Sequence, residues 1–232
     1  MIFTCGDTHA DIDYHKLNSF NFPRGRTLAK DDYLVIAGDF GAVWNSDKTD
    51  EYLQQWYAMK PWTTLIVDGN HENFDLLETY PEIEMFGDKV GQINSSIYHL
   101  KRGRVYEIDG NKIFTFGGGY SIDKDWRVEG ESWWPQEMPT TDEYNLGIVN
   151  LEKHNRKVDY IITHSCPMSI FQVINERFDM GHKINGEDKL RYYFEEIMQY
   201  IDFKKWYFGH FHVDHDMDEF IAMYNNPPIK LN

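Results

Sequence analysis

The chain has 232 residues, of which 41% are hydrophobic and 16% aromatic, enough for a sizeable core in one domain spanning residues 1–232 or at most two small ones. Lys and Arg number 23 against 38 Asp and Glu, and the resulting charge of −15 disfavours sequence-independent binding to long nucleic acid. No apolar run approaches the roughly 20 residues of a membrane span, the N-terminus lacks the basic start of a signal peptide, and Cys5 and Cys166 alone cannot build a disulfide framework, so the expectation is a soluble, cytoplasmic protein with reduced thiols.

Short β-branched or aromatic runs alternate with helix-like stretches along the chain. The first strand is predicted over MIFTC (1–5), with Asp7 and His9 directly after it. A second follows over DYLVIAG (32–38), ending at Gly38-Asp39, and helical spacing covers 47–59. The third strand, TTLIVDG (63–69), runs into Asn70-His71-Glu72 and a helical stretch over 72–79. Residues 97–118 alternate apolar and polar around Asp109-Gly110, which predicts one β-hairpin. A long irregular stretch, 119–142, carries Trp126, Trp133 and Trp134, and long ordered loops inside compact domains are often functional. Helical spacing returns over 141–155. The fourth strand, VDYIITH (158–164), ends on His164, and 187–201 carries the clearest helical stripe: Leu190, Tyr193, Phe194, Ile197 and Ile201. The fifth strand, KWYFGH (205–210), leads into Gly209-His210-Phe211-His212, and the remainder predicts short strands closing a sheet around a Pro227-Pro228 break. Strands joined by helices, with antiparallel hairpins added, indicate a layered α/β domain with mixed sheets.

Five strands therefore present Asp, Asn or His at their carboxyl ends, the edge at which open α/β sheets bind ligands. Carboxylate, amide oxygen and imidazole together suit intermediate divalent metals such as Mn, Fe, Zn, Ni or Co. Seven such residues (Asp7, His9, Asp39, Asn70, His164, His210, His212) are too many for one ion and suit two. A pair of ions roughly 3.5–4 Å apart is a common solution for phosphate-ester hydrolysis, in which the ions share a hydroxide and neutralise the phosphoryl oxygens. Taken singly, Asp7 and Asp39 also read as turn or capping residues; the ordered set does not.

D-x-H (Asp7, His9), G-D (Gly38, Asp39), G-N-H-E (Gly69 to Glu72), a strand-terminal His164 followed by Pro167, and G-H-x-H (Gly209 to His212) resemble the calcineurin-like metallophosphoesterases. The blocks occur in that family's order and span residues 7–212. The resemblance implies a four-layer α/β/β/α sandwich of two mixed sheets flanked by helices. It implies two divalent transition-metal ions, with manganese favoured: Asp7, His9 and His212 on one, Asn70, His164 and His210 on the other, and Asp39 bridging. It leaves His71 as the catalytic group that stabilises the transition state or protonates the leaving oxygen. Glu72 would support the ligands from behind or start a helix. The expected activity is hydrolysis of small phosphorylated substrates, phosphodiesters or nucleotide-like esters, by attack of a metal-bridging hydroxide, with Asn70 and Arg127 touching the substrate.

Two alternatives stay open at this point: a phosphomonoesterase or protein phosphatase, and a metal-free scaffold of the same fold. Protein phosphatases of the family extend the second block to G-D-x-V-D-R-G. This chain has Ala42 and Val43 where the acidic partner of the catalytic histidine and the phosphate-gripping arginine would stand. A scaffold would have lost ligands, whereas all seven positions are filled. His15, His99, His154, His182 and His215 read as surface or core histidines, Asp11 and Asp13 as solvated loop or capping carboxylates, and Cys5 and Cys166 as small packing residues. In the 119–142 stretch the tryptophans read equally as hydrophobic cover and as a wall selecting the leaving group; Lys124 and Arg127 are its candidate phosphate-binding cations.

Overall fold

The computed structural model describes residues 1–180 and 185–231, so the expectation for His182 lies outside the described residues. Two mixed sheets form the centre of the fold. In the first, β1 (Ile2–Cys5), β2 (Tyr33–Ala37), β3 (Thr63–Val67) and β6 (Ile97–Leu100) run parallel. β5 (Asp88–Asn94) and β4 (Glu82–Met85) extend it antiparallel on one edge, and β13 (Ile229–Lys230) closes the other. In the second, β8 (Asn111–Phe116), β9 (Tyr160–Thr163), β10 (Lys205–Phe208) and β12 (Phe220–Ala222) are parallel. β7 (Arg104–Ile108) and β11 (His215–Met217) are its antiparallel edges.

Period-two alternation along the strands explains the layering, because successive side chains point to opposite faces. Leu34 and Ile36 of β2 pack outward with Leu53 and Tyr57 of α1 (Lys48–Ala58) and Phe74 and Leu77 of α2 (Phe74–Leu77). Val35 and Ala37 point the other way, into an inter-sheet core shared with Ile113, Tyr160, Ile162 and Tyr207. Ile161, Trp206 and Phe208 face a third core under α3 (Thr141–Lys153), α4 (Met168–Phe178) and α5 (Asp188–Tyr200), with Leu151, Ile174, Leu190 and Phe194. The central strands are thus buried on both faces, which is why their sequences read as nearly unbroken apolar runs. The expected four-layer α/β/β/α order is the one found.

The expected strands and most helices stand within a few residues of their predicted bounds, and two predictions need correction. Residues 97–118 are not one hairpin. Tyr98 and His99 pair with β3 and β5 in the first sheet, and only β7 and β8 form the hairpin, in the second. Its two-residue turn is the expected Asp109-Gly110, both at positive φ (48° and 75°), the geometry that matches strand twist. The helical stretch at 72–79 shrinks to one turn capped by Asn73, whose side chain accepts from the Leu76 amide. Two elements escaped prediction: α4, whose Ile170, Val173 and Ile174 lean towards strand propensity, and the β4–β5 hairpin. The irregular stretch holds short 3-10 turns at Lys124–Trp126 and Pro135–Glu137.

Trp206 is fully buried in the third core, and its indole N–H donates to the Thr163 hydroxyl at 2.7 Å. Trp206→Ala is expected to cost about 3–5 kcal/mol, read as a lower urea midpoint with an unchanged m-value.

Candidate metal centre

Parallel strands align their carboxyl ends, and the loops leaving β1, β2, β3, β9 and β10 meet along one edge. They are tied to one another as well as to the sheets. The amides of Thr8 and His9 donate to the Asp39 carbonyl (3.1 and 2.8 Å), and the His71 amide donates to Asp39 Oδ1 (2.8 Å). The His210 amide donates to the Asp7 carboxylate (3.1 Å), and the Gly209 amide to the His164 carbonyl (3.0 Å). Four residues of the predicted set adopt left-handed backbone: His9 (φ 40°), Asp39 (49°), His210 (68°) and His212 (52°). Non-glycine residues enter that region at an energetic cost that the surrounding contacts must sustain. Two glycines make the room. A Cβ on Gly209 would stand 2.0 Å from Asp7 Oδ1, and one on Gly38, itself at φ 97°, 1.9 Å from His164 Nδ1.

The seven predicted donors converge. Donor atoms of Asp7, His9, Asp39 and His212 all lie within 4.8 Å of one another. His9 Nε2 is 3.2 Å from Asp39 Oδ2, and His212 Nε2 is 3.3 Å from Asp7 Oδ2. On the other side, His164 Nε2 is 3.3 Å from Asp39 Oδ1 and 3.0 Å from Asn70 Oδ1, and the His164 and His210 rings lie 4.8 Å apart. The donors suit divalent transition ions: adjacent ligands at bond lengths of about 2.1 Å and right angles are separated by about 3.0 Å, close to the spacings found. The mix of two carboxylates, one amide oxygen and four imidazoles is the chemistry such ions take.

Ring nitrogens and amide atoms are assigned by what holds their other ends. His164 Nδ1 donates to the Ala37 carbonyl (2.8 Å), which leaves Nε2 facing Asp39 and Asn70. The Asn70 amide nitrogen donates to Ser121 Oγ (3.1 Å), turning Oδ1 towards the centre. Two carboxylates do this work that sequence reading assigned elsewhere or did not assign. Asp13, expected as a solvated or capping residue, accepts from His9 Nδ1 at 2.7 Å; the His-x-x-x-Asp spacing was the available signal. Glu187, fully buried, meets His210 Nε2 at 3.2 Å and Arg191 at 2.5 Å, leaving His210 Nδ1 for an ion. Carboxylates behind metal-binding histidines fix ring orientation and raise ligand basicity. Glu72 takes the supporting alternative of its two predicted roles. It is fully buried and accepts from the amides of Phe40 (2.7 Å) and Gly41 (3.4 Å), bracing the loop that carries Asp39.

Charge compensation dominates the electrostatics. Burial pushes the Asp7 and Asp39 carboxyls up, but neighbouring histidines, His212 for Asp7 and His164 for both, outweigh it and hold them below the usual range. The histidines answer in kind. Burial lowers His9 and His164, but Asp39 and Asp7 lift them to about 9 and about 10. Glu187 is drawn to about 2, its burial outweighed by His210 and Arg191, whereas burial and the nearby Asp39 raise Glu72 to about 8. Burial takes the His71 imidazole below its ordinary value, opposed by Asp39 and reinforced by Arg127. Burial also pushes the Cys5 thiol up to about 12 and Cys166 well above its ordinary value, so both stay neutral packing groups.

His71 sits beside the donors, its ring 5.9 Å from that of His9, and among the described residues no side chain hydrogen-bonds its imidazole. Ala42 and Val43, the two departures in the second block, are buried in the core under α1. Arg127 lines the same cavity as His71. Its Nε and Nη2 are clamped by Asp123 at 2.8 Å, and its Nη1 donates to the Ser132 carbonyl at 3.1 Å. Lys124 lies over the Tyr120 ring, 4.5 Å from its centroid. Trp134 is buried against Trp44, whereas Trp126 is 91% exposed, so the tryptophans divide between cover and surface. His99 meets Asp68 at 3.0 Å inside a buried cluster with Arg102, away from the seven donors.

A sequence model of the calcineurin-like phosphoesterases matches residues 1–214, and the chain belongs to that family. No curated protein matches the chain. The chain is therefore a metal-dependent phosphoesterase, a hydrolase of phosphorylated substrates that uses divalent ions. No described helix is long and apolar enough to cross a membrane.

Metal ligation requires neutral imidazole, so protons must leave as metal enters. With His9 at about 9 and His164 at about 10, both rings carry a proton in the metal-free protein at pH 8. Adding Mn²⁺ to chelator-treated protein at pH 8 in weak buffer should release protons, measured with an indicator dye. The release should shrink as the starting pH is raised past about 10, where both rings are already neutral, and metal affinity should rise over the same interval.

Proposed function

We propose that this calcineurin-like phosphoesterase holds two divalent ions, manganese in preference, and hydrolyses phosphodiesters or nucleotide-like small phosphoesters. Asp7, His9 and His212 form one half-site, Asn70, His164 and His210 the other, and Asp39 is shared between them. Support comes from the donor spacing around Asp39, whose two carboxylate oxygens face opposite histidines: Oδ2 faces His9 and Oδ1 faces His164. Three oxygen donors among seven favour manganese over softer ions. The buried, neutral thiols suit a reducing compartment, and a cytoplasmic location is proposed on that footing; a single acting domain is proposed from the family match over residues 1–214.

One observation carries the preference for diesters. Two cavities meet at His71 and His212: one of about 480 Å³ walled by Trp44, Tyr224 and Arg127, the other of about 430 Å³ walled by Tyr120, Ile122 and Met180. A diester presents two organic arms at phosphorus and fills both; a monoester presents one. The missing second-block arginine, with Val43 buried in its place, further separates the chain from protein phosphatases. When bound, the ions activate a water and neutralise the phosphoryl oxygens. His71, held neutral by burial, offers the substrate a ring N–H, so it serves the developing charge as a hydrogen-bond donor. Asn70 and Arg127 border the reacting phosphate, Arg127 with whatever donor capacity Asp123 and Ser132 leave.

The test compares kcat/KM for an aryl phosphodiester and the matching aryl monoester, with Mn²⁺ restored after chelation. The diester is expected to be the better substrate; a faster monoester overturns the diester reading, and undiminished activity under chelation overturns the mechanism. Asp39→Asn should lose both turnover and metal. His71→Ala should keep its metal and lose about 100- to 1,000-fold in kcat, and His71→Asn, a neutral donor, should recover part of it.

A further inference from the structure

Tyr224 lies beyond residue 214, where the family match ends, yet it touches His212 directly and reaches His9 and Asp7 through Asp13 and Lys16. Its ring stacks on that of His212, centroids 4.5 Å apart and planes 8° from parallel. Its hydroxyl approaches Asp13 Oδ2 at 3.4 Å, the oxygen that also accepts from His9 Nδ1. Its carbonyl accepts from the Lys16 ammonium, which donates as well to the Asp7 carbonyl. The turn that carries it is fixed in turn by Asp214, whose carboxylate accepts from the amides of Tyr224 (2.8 Å), Asn225 (2.9 Å) and Asn226 (3.2 Å).

His212 is the donor that most needs such help. Its side chain is 48% exposed, whereas those of Asp7 and His164 are fully buried. Its backbone is left-handed, and its ring has an edge-on contact with His9 at 4.8 Å on one side. The parallel face of Tyr224 supplies the other side. A hydrogen bond of 3.4 Å between oxygens is long, so the ring face, more than the hydroxyl, does the positioning.

We propose that Tyr224 is a positioning residue for the His9–His212 half of the metal centre, holding the His212 imidazole in its ligating orientation. The proposal rests on the two-ion reading given above. It differs from simple surface cover in what it predicts: cover would change folding stability, whereas positioning changes the affinity of one ion and spares the other.

Titration of metal-free protein with Mn²⁺, following free Mn²⁺ by electron paramagnetic resonance, reads both sites without substrate. Wild type should bind two ions. Tyr224→Leu should weaken one of them by about 10- to 100-fold and leave the other unchanged, while Tyr224→Phe, which keeps the ring face, should stay close to wild type. Asp214→Ala removes the clamp on the turn and should weaken the same ion, which keeps the test decisive should Tyr224→Leu not fold. Two ions bound with wild-type affinity in Tyr224→Leu and Asp214→Ala overturns the proposal and leaves the two-ion reading standing. Fewer than two ions in wild type overturns that reading, and the proposal with it.

Discussion

Two carboxylates buried side by side set the terms for this site. Asp7 and Asp39 are shielded from solvent, and among the described residues no Lys or Arg side chain stands within ion-pair distance of either. Burial disfavours the charge on both, and the Asp39 charge adds to the cost at Asp7, a combination that a fold tolerates only with compensating cations close at hand. Here the compensation is imidazole: His9, His164 and His212 face the two carboxylates at 3.2–3.7 Å. Without metal His9 and His164 hold protons, and with metal they surrender them. The same constraint therefore explains the raised histidines and the metal dependence of the family. A positive charge has to occupy this space in either state, and a divalent ion supplies more of it than a proton does.

Holding such a cluster requires backbone that regular structure does not provide. The strands deliver each loop to the right edge, but His9, Asp39, His210 and His212 then turn into left-handed conformations. What sustains them is bonding from loop to loop: amides after β1 on the Asp39 carbonyl, the amide of His71 on the Asp39 carboxylate, the amide of His210 on Asp7. The Asp7 and Asp39 carboxylates thus do double duty, facing the histidines and fixing neighbouring loops. Glu72 continues the pattern behind Asp39, accepting from the next two amides of the same loop. This makes the centre cooperative, since each carboxylate ties the loop that carries it to a second loop.

Much of this was legible in the sequence, for a physical reason. Parallel strands buried on both faces leave nearly continuous apolar runs, and a polar Asp, Asn or His directly after each run has to lie at the sheet's carboxyl edge. The seven donors follow from that rule. Their supporting residues do not, because nothing local marks them. Glu187 stands 23 positions before His210 and belongs to no motif. Tyr224 reaches His212 only because β12 returns the chain to the second sheet. Asp13 was visible as a spacing, yet an exposed-looking run of Asp11, Ile12 and Asp13 carried no sign that one carboxylate turns inward. The failed hairpin has the same origin: alternation over 97–118 was real, but alternation does not say which of two sheets a strand joins, and the break at residues 101–103 sends β6 one way and β7 the other.

The two halves of the donor set are unequal in a way that bears on how substrate arrives. Asn70, His164 and His210 are enclosed, each held at its far end by Ser121, the Ala37 carbonyl or Glu187. A Cβ on Gly119 would lie 3.0–3.2 Å from Asn70, His164 and His210 together, so even the loop after β8 closes against them. His212 instead faces outward, its Nε2 on the Asp7 carboxylate and its ring face stacked on Tyr224. Both cavities open beside it and beside His71. Under the two-ion reading, the enclosed half is the anchoring one, and the half containing His212 borders the space through which a phosphoryl group would enter. His71 stands at that same border, and among the described residues no acidic side chain hydrogen-bonds its imidazole; the second block carries Ala42 where the protein phosphatases carry an acidic residue. Under the two-ion reading its orientation comes from its backbone bond to Asp39 and from the substrate itself, which ties the geometry of His71 to a filled metal centre.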